Sequence, residues 1–284
     1  MPEVETICRS LRRYLPQRTI DRVDILSVAP IKWPTAEEFA RRTTGKTIAD
    51  VTRRGKYILL NLAPEGTLVI HLRMTGSLVY RETQIPPSGH DRIVFRLSGG
   101  ATLTYADTRC LGTLQNLLPG EENQAKGLYA LGPEPLSAEF TVPFLTHKCA
   151  GKRGKIKSTL LDQSFVAGLG NIYVDEALFV AGIHPLRSPA SLTAAEISRL
   201  HAAVNEVIAA GIKDGGTTFR DYKNAEGGRG THQEHLYVYG RTGQPCRKCG
   251  TPIERIVVGG RGTHFCPHCQ IESEKLLSAQ EICL

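Results

Sequence analysis

Residues 246–269 read CRKCGTPIERIVVGGRGTHFCPHC. Two Cys-x-x-Cys pairs, Cys246/Cys249 and Cys266/Cys269, stand sixteen residues apart. Each pair offers two thiols from one tight turn, and the arm between them brings the turns together. Four soft ligands at tetrahedral corners are what a zinc ion needs. The spacing therefore predicts one zinc ion in a small ribbon. Four thiolates leave no open coordination position, so this zinc is structural and the chemistry lies elsewhere. A pair of disulfides is the competing reading, which a reducing compartment disfavours. His264 and His268 lie close by but are surplus to a complete shell. The remaining cysteines, Cys8, Cys110, Cys149 and Cys283, are scattered singly.

The chain around this arm has 284 residues, with 35 Lys and Arg against 28 Asp and Glu, a formal charge of +7. That length fits two domains plus a small module. Apolar residues at 41% and charged residues at 22% fit a globular chain and exclude a disordered one. No run approaches the ~18–20 apolar residues of a membrane span. The first fifteen residues carry Glu3 and Glu5 and no apolar core, unlike a secretory signal. A cytoplasmic protein with no membrane partner is expected. The positive charge is concentrated. His147–Lys157 carries Lys148, Lys152, Arg153, Lys155 and Lys157 with no acid. Arg241–Gln270 carries Arg241, Arg247, Lys248, Arg255 and Arg261 against Glu254 alone. Two basic runs, one of them within the zinc arm, point to a nucleic-acid partner.

Upstream, residues 3–15 predict a helix, because Val4, Ile7, Cys8, Leu11 and Leu15 fall on one 3.6-period stripe. Pro2 suits the first helical position and Pro16 ends the run. Tyr57–Leu62, Thr67–Leu72, Arg92–Leu97 and Ala101–Ala106 read as short strands split by turn signals. Ile93, Phe95 and Leu97 alternate, as do Leu103 and Tyr105, so an antiparallel β-sandwich is expected. Residues 119–142 read as a linker. From Pro143 to about Ile212 the pattern is helical, with its best-marked start at the capping box Thr193-Ala-Ala-Glu196. Gly215–Thr231 is a glycine-rich loop long enough to be functional. Leu236–Tyr239 looks strand-like. The expected class is α+β: an antiparallel β-sandwich with an N-terminal helix, then a helical domain, then the zinc ribbon. The expected divisions are 1–130, 131–231 and 232–272, with a frayed tail at 273–284.

The N-terminus carries the most pointed chemistry. Trimming of Met1 leaves Pro2 with a free secondary amine of pKa near ~8, partly neutral and nucleophilic at physiological pH. Attack of such an amine on a sugar C1′ gives an iminium, an electron sink that favours β-elimination. Glu3 beside it is placed to move protons. As isolated residues, Pro2 and Glu3 are also an ordinary helix start with a first-turn acid.

Several segments occur in order: Met1-Pro-Glu-Val-Glu-Thr6, Arg54-Gly-Lys-Tyr57, His71-Leu-Arg-Met-Thr-Gly76, Leu161-Asp-Gln163, Gly168-Leu-Gly-Asn-Ile-Tyr-Val-Asp-Glu176, Gly215-Gly-Thr-Thr218, Val238-Tyr-Gly-Arg241 and Arg261-Gly-Thr-His-Phe-Cys266. Taken together, to Cys269, they resemble formamidopyrimidine-DNA glycosylase, a bifunctional repair family that removes oxidised purines and nicks the strand. No single motif is specific, but the ordered set is. The resemblance implies a helix–two-turn–helix in the helical domain and a partner of double-stranded DNA bearing oxidised bases or abasic sites. It implies a monomer. It also implies Pro2 as the Schiff-base nucleophile, Glu3 as the neighbouring acid, Lys56 as an aid to β-elimination and Arg261 as the phosphate-gripping aid to δ-elimination. His90, Lys152 and Asn171 match DNA-backbone contacts.

A target base must leave the stack to be reached, and something must fill the hole. Family members use a Met, an Arg and a Phe. Met74 and Arg109 match, whereas the third position is Leu111, which fills volume but stacks poorly. Looser damage search or weaker opposite-base discrimination is therefore expected. The segment Thr217–Gly230 matches the loop that closes over the flipped base. The family usually begins Met-Pro-Glu-Leu-Pro-Glu-Val-Glu-Thr; here three residues, about 4.5 Å of helix, are missing before Val4. Retained chemistry is the favoured reading. The alternatives are an endonuclease VIII-like activity on oxidised pyrimidines, which the Val4-Glu-Thr6 segment and the long loop oppose, and a non-catalytic lesion binder.

Overall fold

The first helix, α1 (Pro2–Leu11), starts on Pro2 and buries Val4, Ile7, Cys8 and Leu11. It ends at Leu11, four residues before Leu15, the last residue of the stripe. There the backbone tightens: Arg13 N bonds Ser10 O and Tyr14 N bonds Leu11 O. Such i→i+3 bonds satisfy the last carbonyls and turn the chain. Leu15 stays fully buried all the same. The computed structural model describes residues 1–217 and 230–272. Most of the expected capping loop, and the tail at 273–284, lie outside the described residues.

The strands are β1 (Ile20–Ile25), β2 (Ile31–Trp33), β3 (Thr47–Arg54), β4 (Tyr57–Ala63), β5 (Thr67–His71), β6 (Gly76–Arg81), β7 (Asp91–Leu97), β8 (Thr102–Asp107) and β9 (Thr113–Leu117). A short helix α2 (Ala36–Thr43) stands between β2 and β3, capped by Thr35 Oγ1. Four strands run in the order β1-β7-β8-β6 and five in the order β2-β9-β5-β4-β3. All pairings are antiparallel except β2 with β9, a departure from the expected purely antiparallel unit. One core joins the two sheets. Ile58, Leu60, Leu68 and Ile70 come from one; Leu78, Ile93, Phe95 and Leu103 come from the other; Ile7 and Leu11 close the end. Each buried Ile, Leu or Phe stabilises by ~1.5–3 kcal/mol, so α1 is held by packing rather than by its own propensity.

After β9 come α3 (Lys126–Tyr129), α4 (Val142–Cys149), α5 (Ile156–Leu161), α6 (Asn171–Ala181) and α7 (Ala194–Lys213), then the hairpin β10 (Glu254–Val258) and β11 (Arg261–Phe265). The capping box forms: Glu196 N donates to Thr193 Oγ1 at 3.2 Å and Thr193 N to Glu196 Oε2 at 2.8 Å. Helix α6 is buried nearly all round from Tyr173 to Ala181 and ends on left-handed Gly182. Leu236–Tyr239 does not form the expected strand. The N–H groups of Tyr237, Val238 and Tyr239 all donate to the buried carboxylate of Glu176, at 2.7–2.9 Å. A carboxylate there takes the donors a neighbouring strand would have used. The described residues divide into two compact units: Met1–Ala130 with the described part of Gly211–Gln233, and Leu131–Ala210 with the described residues from Glu234 on. No helix among the described residues is long and apolar enough to cross a membrane.

Candidate functional site

In the first unit the head of α1 is a polar cluster. The Met1 α-amine is buried, 3.5 Å from Glu3 Oε2. Burial pushes its pKa down to about 5; Glu3 opposes the shift, while nearby Lys56 and Arg53 reinforce it. The positive end of the helix dipole acts in the same direction. Glu3 Oε1 in turn accepts the backbone N–H of Thr217 at 3.2 Å. A Cβ at Gly216 would lie 3.1 Å from Glu3 Cα, and Gly216 has φ +85°. Only glycine lets the chain pass this close in that conformation. Across the same neck Gly230 packs on the carbonyl of Gly216, and His232 N bonds that oxygen at 3.2 Å. Gly216 and Thr217 are thus held beside Glu3, and Gly230 and His232 against Gly216.

Lys56 sits half-buried in the turn between β3 and β4, after left-handed Gly55. Its neighbour Tyr57 meets His71 edge-on at 4.7 Å. Burial drives the His71 pKa down to about 3, with Arg73, Lys56 and the terminal amine adding to it. The ring is therefore neutral. Its Nδ1 accepts Arg73 N at 3.0 Å, which leaves the proton on Nε2. His71 lies within the His71–Gly76 segment, and residue type alone assigns it no role. Its signal is positional, since β4 and β5 pair Tyr57 with His71.

The turn after β5 carries Met74, 70% exposed, and the turn after β8 carries exposed Arg109 and Leu111, the latter 44% exposed. Arg109 Nη1 lies 3.8 Å from Met74 Sδ. A single exposed apolar side chain is ordinary; here two stand on turns that also carry an exposed arginine. His90 is exposed just before β7, and its carbonyl accepts Asp107 N at 2.9 Å, which ties it to the Arg109 turn. The structure thus brings Pro2, Glu3 and Lys56 to one cluster, and Met74, Arg109 and Leu111 to adjoining turns with His90 beside them.

In the second unit Asn171 is the first residue of α6, with Gly170 as the cap, so its side chain does not cap the helix. Instead Asn171 Nδ2 donates to Gly262 O at 2.8 Å, and its buried Oδ1 has no partner among the described residues. Arg261 is exposed at the turn of the β10–β11 hairpin, where Gly259 and Gly260 both take positive φ. That is a two-residue hairpin turn matched to strand twist. Beneath it, fully buried Lys157 pairs with Asp175, whose other oxygen accepts His264 N at 2.9 Å. Lys152 stands over the Phe165 ring at 5.1 Å. The four thiols of Cys246, Cys249, Cys266 and Cys269 converge, with Sγ–Sγ separations of 3.5–3.9 Å. Tetrahedral zinc with ~2.3 Å bonds requires edges of about 3.8 Å. These separations are far beyond an S–S bond of ~2.05 Å. Lys248 N and Cys269 N donate to Cys246 and Cys266 sulfurs at 3.4 Å, as suits thiolates. His264 is engaged by Asp175, outside this shell.

Residues 1–114 match the formamidopyrimidine-DNA glycosylase N-terminal domain, 131–223 its H2TH domain, and 243–271 the zinc finger found in FPG and IleRS. A formamidopyrimidine-DNA glycosylase of Symbiobacterium thermophilum is 47% identical over 270 residues, covering 95% of this chain and 88% of its own. The chain belongs to the formamidopyrimidine-DNA glycosylase family. A Lactococcus lactis FPG mutant solved with Fapy-dG containing DNA superposes with a TM-score of 0.90 at 36% identity, covering 96% of this chain and 99% of that one. The Lactococcus lactis Fpg solved with abasic-site DNA gives 0.89 at the same identity, with the same coverage of each chain.

Formamidopyrimidine-DNA glycosylases combine a glycosylase with an AP lyase, and this chain is an enzyme of that kind. It holds one structural zinc through the four cysteines of the FPG-type finger. Sequence reasoning missed Asp107 and Glu176 as organisers. Their signals, an acid at the end of a strand and an acid inside a helix, become visible only when several donors are seen to converge on each.

Proposed function

We propose that this chain excises oxidised purines, 8-oxoguanine and formamidopyrimidines, from duplex DNA and nicks the resulting abasic strand by β,δ-elimination. The observation that carries the reading is the buried amine at the head of α1, kept unprotonated and flanked by Glu3 and Lys56. Removal of Met1 frees in its place the secondary amine of Pro2, the first residue of α1 and the neighbour of the same Glu3. That amine attacks C1′, the base leaves with a proton, and an iminium links protein to sugar. Loss of a C2′ proton then expels the 3′ phosphate, and a second elimination expels the 5′ phosphate. Glu3 serves proton transfer to the opening sugar, and Lys56 supports the first elimination. Arg261, presented on the zinc hairpin, grips phosphate with its planar fork. Asn171, Lys152 and His90 serve as backbone contacts, and Met74, Arg109 and Leu111 fill the space the base leaves. The protein works as a monomer in the cytoplasm on double-stranded DNA. Its working divisions are 1–130, 131–231 and 232–272.

Family membership and the DNA-bound relatives favour this reading over an oxidised-pyrimidine specialist or a silent lesion binder. The test is a panel of duplexes under single turnover. Release of 8-oxoguanine opposite C faster than thymine glycol, with cleaved 3′ and 5′ phosphate ends, is expected. Faster release of thymine glycol, or tight binding with no cleavage, would overturn it.

A further inference from the structure

Asp107 is 1% exposed, at the end of β8, between the two turns that carry Met74 and Arg109–Leu111. Its carboxylate takes four donors. Thr75 Oγ1 lies 2.5 Å and Arg109 N 3.1 Å from Oδ1, while Gly112 N lies 2.8 Å and Tyr105 OH 2.9 Å from Oδ2. One oxygen thus bridges the two exposed turns directly. Its backbone joins in: Asp107 O accepts Arg92 Nε at 2.9 Å. Burial alone would raise the pKa of this acid, but the donors outweigh it and hold the carboxyl below its usual range. Both turns are otherwise costly conformations. Arg73 and Cys110 take left-handed backbone at φ +55° and +52°, which non-glycine residues rarely adopt without a surrounding constraint. Gly76 and Gly112 leave no room for a Cβ, the first against Leu72 O, the second against Tyr105 OH and His71 O. Two strained turns, crowded together and joined through one buried carboxylate, form a single preorganised element.

We infer that Asp107 is a positioning residue that clamps the Met74 turn to the Arg109–Leu111 turn, so that the three side chains enter the base stack as one rigid wedge. The inference rests on the reading of Met74, Arg109 and Leu111 as hole-filling residues. Asp107 is buried, with its carboxylate taken up by protein donors. It acts by fixing where Met74 and Arg109 stand relative to each other. Preorganisation of this kind matters because a loose wedge loses side-chain and loop entropy on insertion. A charge-assisted hydrogen bond holds such an arrangement better than a neutral one.

The test uses the full-length, zinc-loaded protein and borohydride trapping. The readout is the ratio of adduct rate on an 8-oxoguanine:C duplex to that on a single-stranded abasic oligonucleotide, which has no stack to open. Thr75→Val keeps the shape and removes the bridging hydroxyl; Thr75→Ala replaces it should the valine variant fail to fold. The ratio is expected to fall about tenfold in T75V, as for loss of a hydrogen bond to a charged group. T75S should restore it to within about twofold of the parent. In a Met74→Ala background the same T75V change should add little, because the clamp then has no Met74 to place against Arg109 and Leu111. If M74A lowers the ratio and T75V does not, the clamp is refuted and the wedge stands. A T75V loss of equal size with and without Met74 also refutes it. If M74A itself leaves the ratio unchanged, the wedge reading falls and the clamp with it.

Discussion

Removing one partner of the Lys157–Asp175 pair should unseat the zinc hairpin. Both side chains are fully buried, on α5 and α6. Asp175 also receives His264 N at 2.9 Å and lies 3.3 Å from His264 Nδ1, both on β11. Burial lowers the Lys157 pKa, and the attraction of Asp175 opposes that shift. Lys157→Met leaves an aspartate without its counter-ion, and Asp175→Asn leaves an ammonium without one. Breaking a buried pair from one side costs about 3–5 kcal/mol. At about 2–4 °C per kcal/mol for a structure of this size, each single change should lower the melting temperature by about 10 °C. The double variant removes both charges and keeps an acceptor oxygen for His264 N. Its cost should fall at least ~2 kcal/mol below the sum of the singles, the coupling expected of a buried contact. The assay is denaturant unfolding with zinc present, monitored together with hydrogen exchange at Thr263 and His264. Singles that each cost under ~1 kcal/mol, or that add without coupling, would refute the assignment of this pair as the hairpin's seat.

Three further outcomes follow from the same geometry. The Pro2 amine must be neutral to attack. The burial and the nearby Lys56 and Arg53 that lower the pKa of the Met1 amine at the head of α1 should shift that of Pro2 in the same direction, so adduct formation should persist well below about pH 8. An amine at its ordinary value would lose activity below about pH 8. Gly216→Ala places a Cβ 3.1 Å from Glu3 Cα in a left-handed backbone, so it should cost ~1–3 kcal/mol in stability and slow trapping, measured by melting and single-turnover rates. Glu176→Gln replaces one acceptor oxygen with a donor facing backbone N–H groups; it should cost about 1.5–3 kcal/mol and weaken zinc retention against a competing chelator.

The zinc arm was legible because four ligands and their spacing are written consecutively in the chain, and the capping box because its two partners lie three residues apart. Strands such as β7 and β8 were legible through alternation. Strand β3, TIADVTRR, was not, because its buried residues are interrupted by Asp50 and charged Arg53 and Arg54. Leu236–Tyr239 had strand-like residues but no strand partner, since Glu176 takes its donors. Pro2, Glu3 and Lys56 are brought together only by the pairing of β3 with β4 and their packing beneath α1, contacts dozens of residues apart in sequence. The same holds for Asp107, whose four donors come from two turns. Local chemistry is readable from residue type; convergence of distant backbone donors on one acid is a property of the folded chain.

The central claim is that the amine heading α1 reaches the sugar. The most direct measurement is borohydride trapping on an 8-oxoguanine:C duplex, followed by mass mapping of the cross-linked peptide. The account predicts a covalent adduct on Pro2 of Met1-free protein, abolished by blocking the terminal amine. A duplex that is bound and cleaved with the adduct elsewhere, or bound with no adduct at all, would contradict it.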